Sequence, residues 1–259
     1  LAERSVPVIV TGDTTLALQD LARYVRGKRD LKVVAVTGSN GKTTTKELIA
    51  NILMHKYRVL KNEGNLNNLI GLPLSLLRMN EEHNAAVLEM GMNSPGEIGL
   101  LSGIARPCVG VITNVSAAHI GGLGDLHKVA EAKGELVDSL DDADSLVLNI
   151  DDASFPRLAA RAKSRVFTFG RGQGCTVRCI KIENKKPGGI AFIMELGGQA
   201  MPVEIKNPGR YNAYNAAAAA VVGQVMGIEL QEIKKGLDAY QGLPMRSEIL
   251  RLDKGIKIY

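Results

Sequence analysis

Val33-Val34-Ala35-Val36-Thr37-Gly38-Ser39-Asn40-Gly41-Lys42-Thr43-Thr44-Thr45 is the stretch that decides the fold. A Val-rich apolar run breaks at a glycine turn. A lysine and three hydroxyl residues follow, and then Glu47, Leu48, Ile49, Ile52 and Leu53 recur at helical spacing. The order is strand, phosphate loop, helix. Backbone N–H groups of Gly38, Ser39, Asn40, Gly41 and Thr44, with the positive end of the helix, suit nucleotide phosphates. In that reading Lys42 reaches the outer phosphates and Thr43 offers its hydroxyl to Mg²⁺. The loop is shorter than the general pattern, which wants a glycine where Val36 stands. A plain glycine turn before a helix is the bland alternative, and the ordered run of strand, turn, lysine, hydroxyl and helix disfavours it.

Working outward, strand-like and helix-like segments alternate. Strands are expected at Val33–Val36, Ala85–Met90, Val109–Asn114 and Ser145–Asn149. Helices are expected at Thr43–Met54, Leu69–Arg78, Glu97–Ala105 and Leu126–Ser139. This predicts an α/β fold of the P-loop type, a mostly parallel sheet with helices on both faces. Ligands of such sheets sit beyond the carboxyl ends of the strands, where Lys42, Glu89, Asn114 and Asn149 fall. After Arg165 the pattern changes. Val166–Phe169, Thr176–Ile182, Ile190–Leu196 and Met201–Ile205 read as short strands between Gly-rich turns, a small antiparallel section. Helices return at Asn212–Met226 and Leu230–Tyr240, and residues 247–259 read as one or two strands. Upstream, residues 5–11 read as a short strand. Asp13 is a helix-start signal before Leu16, Leu18, Leu21, Ala22 and Tyr24.

Composition narrows the function. The chain has 259 residues, 45% of them apolar, and a net charge of +5, which is enough for a sizeable core. The basic residues are scattered, and there are six Tyr, four Phe and no Trp. No stacking platform for nucleic acid is evident, and an anionic small substrate is the better partner. No apolar run is long enough for a membrane span. Cys108, Cys175 and Cys179 are odd in number and lack zinc spacing, so reduced thiols in the cytoplasm are expected.

Several constellations carry candidate chemistry. Glu89 ends an apolar strand near the phosphate loop; it could bind Mg²⁺, cap a helix or pair with a lysine. His119, in the loop after Asn114, is either a metal ligand or a structural histidine. Lys133, among small residues in a helix, reads by itself as a surface lysine. Asn212 and Asn215 share one face of an alanine-rich helix and could read an adenine edge, while capping alone explains only Asn212. Asn65, Asn67 and Asn68 crowd a polar loop that is either ordinary or substrate-binding.

Taken together these residues resemble the Mur ligases, the ATP-dependent amide-forming enzymes of peptidoglycan synthesis. The matching stretches are Thr37–Thr44, Asn65–Pro73, Leu88–Met92 with Gly96–Ile98, Thr113–His119, Ala132–Glu135, Asn149–Asp152 and Gly209–Asn215. The resemblance implies that Thr43, Glu89 and His119 hold Mg²⁺, with two ions in all. It implies that Lys133 is carbamylated and binds the second ion. Asn212 and Asn215 would contact adenine, although Tyr211 stands where many relatives have His. Arg246 would reach ATP phosphates, after Met245 where relatives often have Gly. Asn65, Asn67, Asn68 and Asn114 would face substrate.

The Glu89-Met90-Gly91-Met92 segment points to the branch that joins D-Ala-D-Ala to UDP-MurNAc-tripeptide through an acyl phosphate. Other Mur-type ligases (diaminopimelate- or lysine-adding, folylpolyglutamate or cyanophycin synthetases) and a non-catalytic ATP-binding module stay open. The family's three-domain plan implies that residues 1–30 are the tail of a UDP-sugar-binding domain with a connector. Residues 31–245 would be the ATP-binding domain, and 246–259 the start of a third. On this reading the chain is the central part of a longer enzyme and is inactive alone. A monomer is the default.

Overall fold

The computed structural model describes residues 8–116, 125–185 and 188–242, with the backbone of 250–251 and 257–258. Its centre is β1 (Lys32–Thr37), whose last five residues are all buried. Val34 and Val36 enter one hydrophobic core and Val33 and Ala35 the other. A strand that feeds two cores must be covered on both faces, and its continuous apolar run follows from that.

The sheet has nine strands: β2 (Val59–Lys61), β3 (Ala85–Glu89), β1, β4 (Val109–Ile112), β5 (Ser145–Asn149), β6 (Arg165–Gly170), β7 (Val177–Asn184), β8 (Ile190–Leu196) and β9 (Gln199–Ile205), in that spatial order. Pairing is parallel from β2 through β7 and antiparallel from β7 to β9. The β8–β9 hairpin turns on Gly197 and Gly198, whose φ values of 58° and 77° suit a two-residue primed turn.

Helices α1 (Thr14–Gly27), α3 (Gly71–Leu77), α4 (Glu97–Ala105), α5 (Leu126–Asp138) and α6 (Phe155–Arg161) pack around one core. Helices α2 (Lys42–Leu53), α7 (Tyr211–Val225) and α8 (Leu230–Asp238) build the other. Ala216 to Ala220 of α7 are fully buried, so that helix lies close on the sheet and on α2. The short strands β10 (Leu250–Arg251) and β11 (Lys257–Ile258) pair antiparallel, as the sequence suggested.

Three expectations are corrected. Val166–Phe169 does not start the antiparallel section: β6 pairs parallel with β5 from Ser145↔Arg165 onward. The small antiparallel section that the sequence predicts is present as β7–β9, at one end of the same sheet. Residues 8–11 form no strand, and Val8, Ile9 and Val10 are exposed. Helix α1 starts at Asp13, which accepts from the backbone N–H of Thr15 and Leu16, but its buried stripe is Gln19, Ala22 and Arg26 rather than Leu16, Leu21 and Tyr24. The cause is Arg26, whose guanidinium donates to the carbonyls of Ala105, Arg29, Leu31 and Arg106 and pins α1 to the end of α4. Finally, β2 and α6 have no counterpart in the sequence reading: β2 is only three residues long, and Leu158 is the one buried residue of α6, too little to show a period.

The contact between α2 and α8 is close enough to test. A Cβ on Gly236 would lie 2.7 Å from Ile52 Cα and 2.9 Å from Ile52 N, both backbone atoms. Gly236→Ala gains about 1 kcal/mol of helix propensity but must push two helices apart, which costs about 1–3 kcal/mol. Net destabilisation is expected, read as a lower urea midpoint at unchanged slope.

Candidate functional site: a phosphate loop between two cavities

Two cavities open at the carboxyl ends of the parallel strands. The first, of about 330 Å³, is lined by the loop from Gly38 to Thr44, by Asn65, Asn67 and Asn68, by Glu89 and by Lys133. The second, of about 760 Å³, lies on the other side of Asn40 and Gly41, under the start of α7.

The loop between them is held by side chains from the end of β4. Thr113 Oγ1 donates to Asn40 O (2.6 Å), and Asn114 Nδ2 donates to the same carbonyl (2.9 Å). Asn40 N donates back to Asn114 Oδ1 (3.1 Å). Ser39 Oγ donates to Ser116 O and accepts from Ser116 N. Two glycines are obligatory here. Gly38 (φ 147°) leaves only 1.9 Å between a would-be Cβ and Thr113 Oγ1, and Gly41 (φ 81°) leaves 2.4 Å to Asn215 Oδ1. Gly41 caps α2 without any side-chain bond, so no capping side chain covers the positive end of the helix. Lys42 Nζ folds back on the carbonyls of Gly38 (3.0 Å) and Ser39 (3.4 Å), across the mouth of the cradle. Thr43 lines the first cavity, as expected for a hydroxyl aimed at a phosphate-bound cation.

Glu89 is almost fully buried at the end of β3. Asn62 grips its backbone on both sides, accepting from Glu89 N and donating to Glu89 O, each at 2.9 Å. Asn67 Nδ2 donates to Glu89 Oε1 (2.8 Å), while Oε2 is buried with no hydrogen-bond partner. An orphaned carboxylate oxygen is costly unless something positive meets it, so the site fits a divalent cation. No group of three or more His, Cys, Asp or Glu could hold a metal among the described residues. Such a donor set suits Mg²⁺, which takes one or two carboxylates and completes its shell with water and phosphate oxygens.

Lys133 is 2% exposed on α5 and faces the same cavity. Its acidic neighbours are occupied elsewhere. Glu135 accepts from Gly96 N and Gly99 N at the start of α4, and Glu131 pairs with Arg157 and Arg161. Burial, and then the charge of Lys42, push the Lys133 amine down to about 8. The bland reading of Lys133 as a surface lysine is therefore overturned.

Asn212 and Asn215 are buried and bonded in series. Asn212 Nδ2 donates to Pro208 O (2.9 Å), Asn215 Nδ2 to Asn212 Oδ1 (3.1 Å), and Thr45 Oγ1 to Asn215 Oδ1 (3.3 Å). Asn215 lies close against Gly41 on the side of the second cavity, and Asn212 does not cap α7. Asn114, expected on substrate, has both amide atoms on the backbone of Asn40, which makes it a brace of the loop. Asn68 lines the first cavity but also accepts from Ile70 N and Gly71 N at the start of α3. Asn65 and Asn67 border the cavity as expected. His119 and Arg246 lie outside the described residues. Asn62 reads in the sequence only as one more asparagine of the polar loop, and no motif spacing connects Asp151 with Tyr214.

Burying Lys133 has a testable cost. Its amine binds fewer protons in the folded than in the unfolded state between about pH 8 and the ordinary 10.5, so stability rises with pH across that window. The penalty is fully present below about pH 8. Lys133→Met, in CO₂-free buffer, is expected to be more stable than the parent by about 1–3 kcal/mol at pH 7. That gain should shrink as pH rises through 8 to 10.5, as read from paired urea titrations.

Comparison with known proteins agrees with this geometry. Residues 36–223 match the family described as the Mur ligase middle domain. UDP-N-acetylmuramoyl-tripeptide–D-alanyl-D-alanine ligase of Bacillus subtilis is 38% identical over 100% of this chain and 57% of its own length. The Escherichia coli enzyme of that name is 36% identical over 93% of the chain and 54% of its own. The chain thus spans about half the length of these curated relatives. Among solved structures, MurF of Acinetobacter baumannii superposes with a TM-score of 0.90 at 34% identity, over 97% of this chain and 56% of that one. MurF of Thermotoga maritima in complex with ADP gives 0.87 at 29%, over 98% and 59%. With the family match running from β1 through most of α7, over the phosphate loop, Glu89 and Lys133, the chain belongs to the Mur ligase family.

Proposed function

We propose that this chain is the nucleotide-binding part of an ATP-dependent ligase that joins D-Ala-D-Ala to UDP-MurNAc-tripeptide. The observation that carries the reading is one cavity shared by the open phosphate loop, the orphaned oxygen of Glu89 and the desolvated amine of Lys133. Support for the substrates comes from the relatives' names, and support for the nucleotide from the ADP complex of the Thermotoga protein. Residues 31–245 are the ATP-binding domain on this proposal, with residues 1–30 and 246–259 belonging to its neighbours. No helix among the described residues is long and apolar enough to cross a membrane, and we place the reaction in the cytoplasm.

The chemistry runs in two steps. A substrate carboxylate attacks the γ-phosphorus of ATP, giving an acyl phosphate and ADP. The incoming amine then attacks the acyl carbon and phosphate leaves. Such transfers need positioning and charge neutralisation more than a protein nucleophile. Lys42 would exchange the carbonyls of Gly38 and Ser39 for phosphate oxygens. Thr43 and Glu89 would hold Mg²⁺, which supplies positive charge beside the phosphates. The Lys133 amine can take up CO₂ by forming an N–C bond and releasing a proton, which turns a cation into a carboxylate. Only the neutral amine reacts, and with its pKa near 8 roughly a tenth is neutral at pH 7. His119 and Arg246 would add a metal contact and a phosphate contact. Asn65, exposed at the rim, would meet the substrate, and Asn67 would do so from its place beside Glu89.

The reading is tested by phosphate release from MgATP by the full-length protein. Release is expected with UDP-MurNAc-tripeptide plus D-Ala-D-Ala, and none with UDP-MurNAc-dipeptide plus a diamino acid. The reverse pattern would move the protein to the diamino-acid-adding branch. Lys133→Ala should lower ligation by at least about a hundredfold while ATP affinity stays within a few fold. Normal ligation by that variant would sink the carbamate role.

A further inference from the structure

One wall of the second cavity joins two of the family-matching stretches through residues to which the resemblance gives no role. Asp151 follows β5, and its Oδ2 accepts from Arg171 N (2.6 Å) and from Tyr214 Oη (3.0 Å), while Oδ1 accepts from Gly172 N (3.1 Å). Asp151 N in turn donates to Asn149 Oδ1 (3.0 Å), which fixes the loop after β5. The carboxylate is therefore bound by backbone amides to the turn after β6 on one side and by a phenol to the first turns of α7 on the other. Gly170 keeps the turn close: a Cβ there would come within 2.8 Å of Asp151 Oδ2.

Tyr214 stands beside Asn215, the residue that packs against Gly41, and two positions after Asn212. Its ring and Asp151 both line the cavity. One hydroxyl thus joins the helix start that supports the phosphate loop to the loop that forms the far side of the cavity. Burial, and then Asp151, push the phenol up to about 12, so it is a constant donor at neutral pH. A bond from a neutral donor to a carboxylate is stronger than a neutral pair and fixes a distance.

We propose that Tyr214 is a positioning residue for the nucleoside end of the bound nucleotide, holding α7 and the loop after β5 at the separation that receives the base and sugar. The inference rests on the nucleotide reading of the site. Tyr211, at the position the family resemblance singles out, is 54% exposed. Tyr214 was not a candidate in the sequence, because its partner Asp151 is 63 residues away.

The test is calorimetric titration of the full-length protein with MgATP, MgADP and inorganic tripolyphosphate, the last carrying the phosphates without a nucleoside. Tyr214→Phe is expected to weaken ATP and ADP by roughly three- to tenfold and to leave tripolyphosphate unchanged. In turnover, KM for ATP should rise by the same factor, with kcat at saturating ATP within about twofold of the parent. Asp151→Asn should give a similar loss, and the double variant should be no worse than the weaker single one, as for two partners of one bond. Unchanged ATP affinity in Tyr214→Phe, additive losses, or an equal loss for tripolyphosphate would overturn the inference while leaving the nucleotide reading intact. Failure of the parent itself to bind ATP would overturn both.

Discussion

The site depends on one constraint: the backbone of Ser39 and Asn40 is fixed in place by the end of β4, a strand distant in sequence. Thr113, Asn114 and Ser116 hold it from β4, and Asn215 of α7 packs against Gly41. An anion cradle needs a backbone that is already oriented, and here the amides of Ser39 and Asn40 are tied to Asn114, so β4 fixes the path that leads into the start of α2. Because β1 and β4 are adjacent parallel strands, their carboxyl ends bring these side chains to the loop without a long connection. The two-faced burial of β1, the parallel order and the close-packed alanines of α7 all serve that placement.

Charge is arranged around the same opening. Lys42 and Lys133 are two ammonium groups near one cavity, and their mutual repulsion adds to the burial that weakens the Lys133 proton. Glu89 contributes a single carboxylate, half satisfied by Asn67 and half unpartnered. Among the described residues no cluster of anionic ligands would bind a metal by itself, and the phosphates of a nucleotide would complete the set. Cation and nucleotide binding would then be linked, as expected where a hard cation is shared between protein and phosphate.

Much of this was legible in the sequence. The Val33–Thr45 stretch gives strand, loop and helix, because apolar runs, glycine and helical spacing each have a local physical cause. Glu89 could be placed at a strand end for the same reason. What could not be read is long-range. Arg26 reverses the buried stripe of α1 through carbonyls some 80 residues away. Strand β6 joins the parallel sheet because its edge partner is β5, a choice its own composition does not express. Lys133 has an ordinary helical context and becomes unusual only through burial. Asn212 and Asn215 share a face, as their spacing requires, but that face is spent on Gly41 and on each other. Asn114 went the same way: its amide is a brace because the loop is within reach.

The most direct test of the account is the dependence of ATP affinity on Mg²⁺ in the full-length protein and in Glu89→Gln. The account requires one ATP site per chain in the parent, tightened by about tenfold or more when Mg²⁺ is added. In Glu89→Gln that tightening should be largely lost, while affinity without Mg²⁺ stays close to the parent's. Equal tightening by Mg²⁺ in both proteins would show that the orphaned carboxylate does not meet the cation. Absence of ATP binding in the parent would remove the nucleotide from the account altogether.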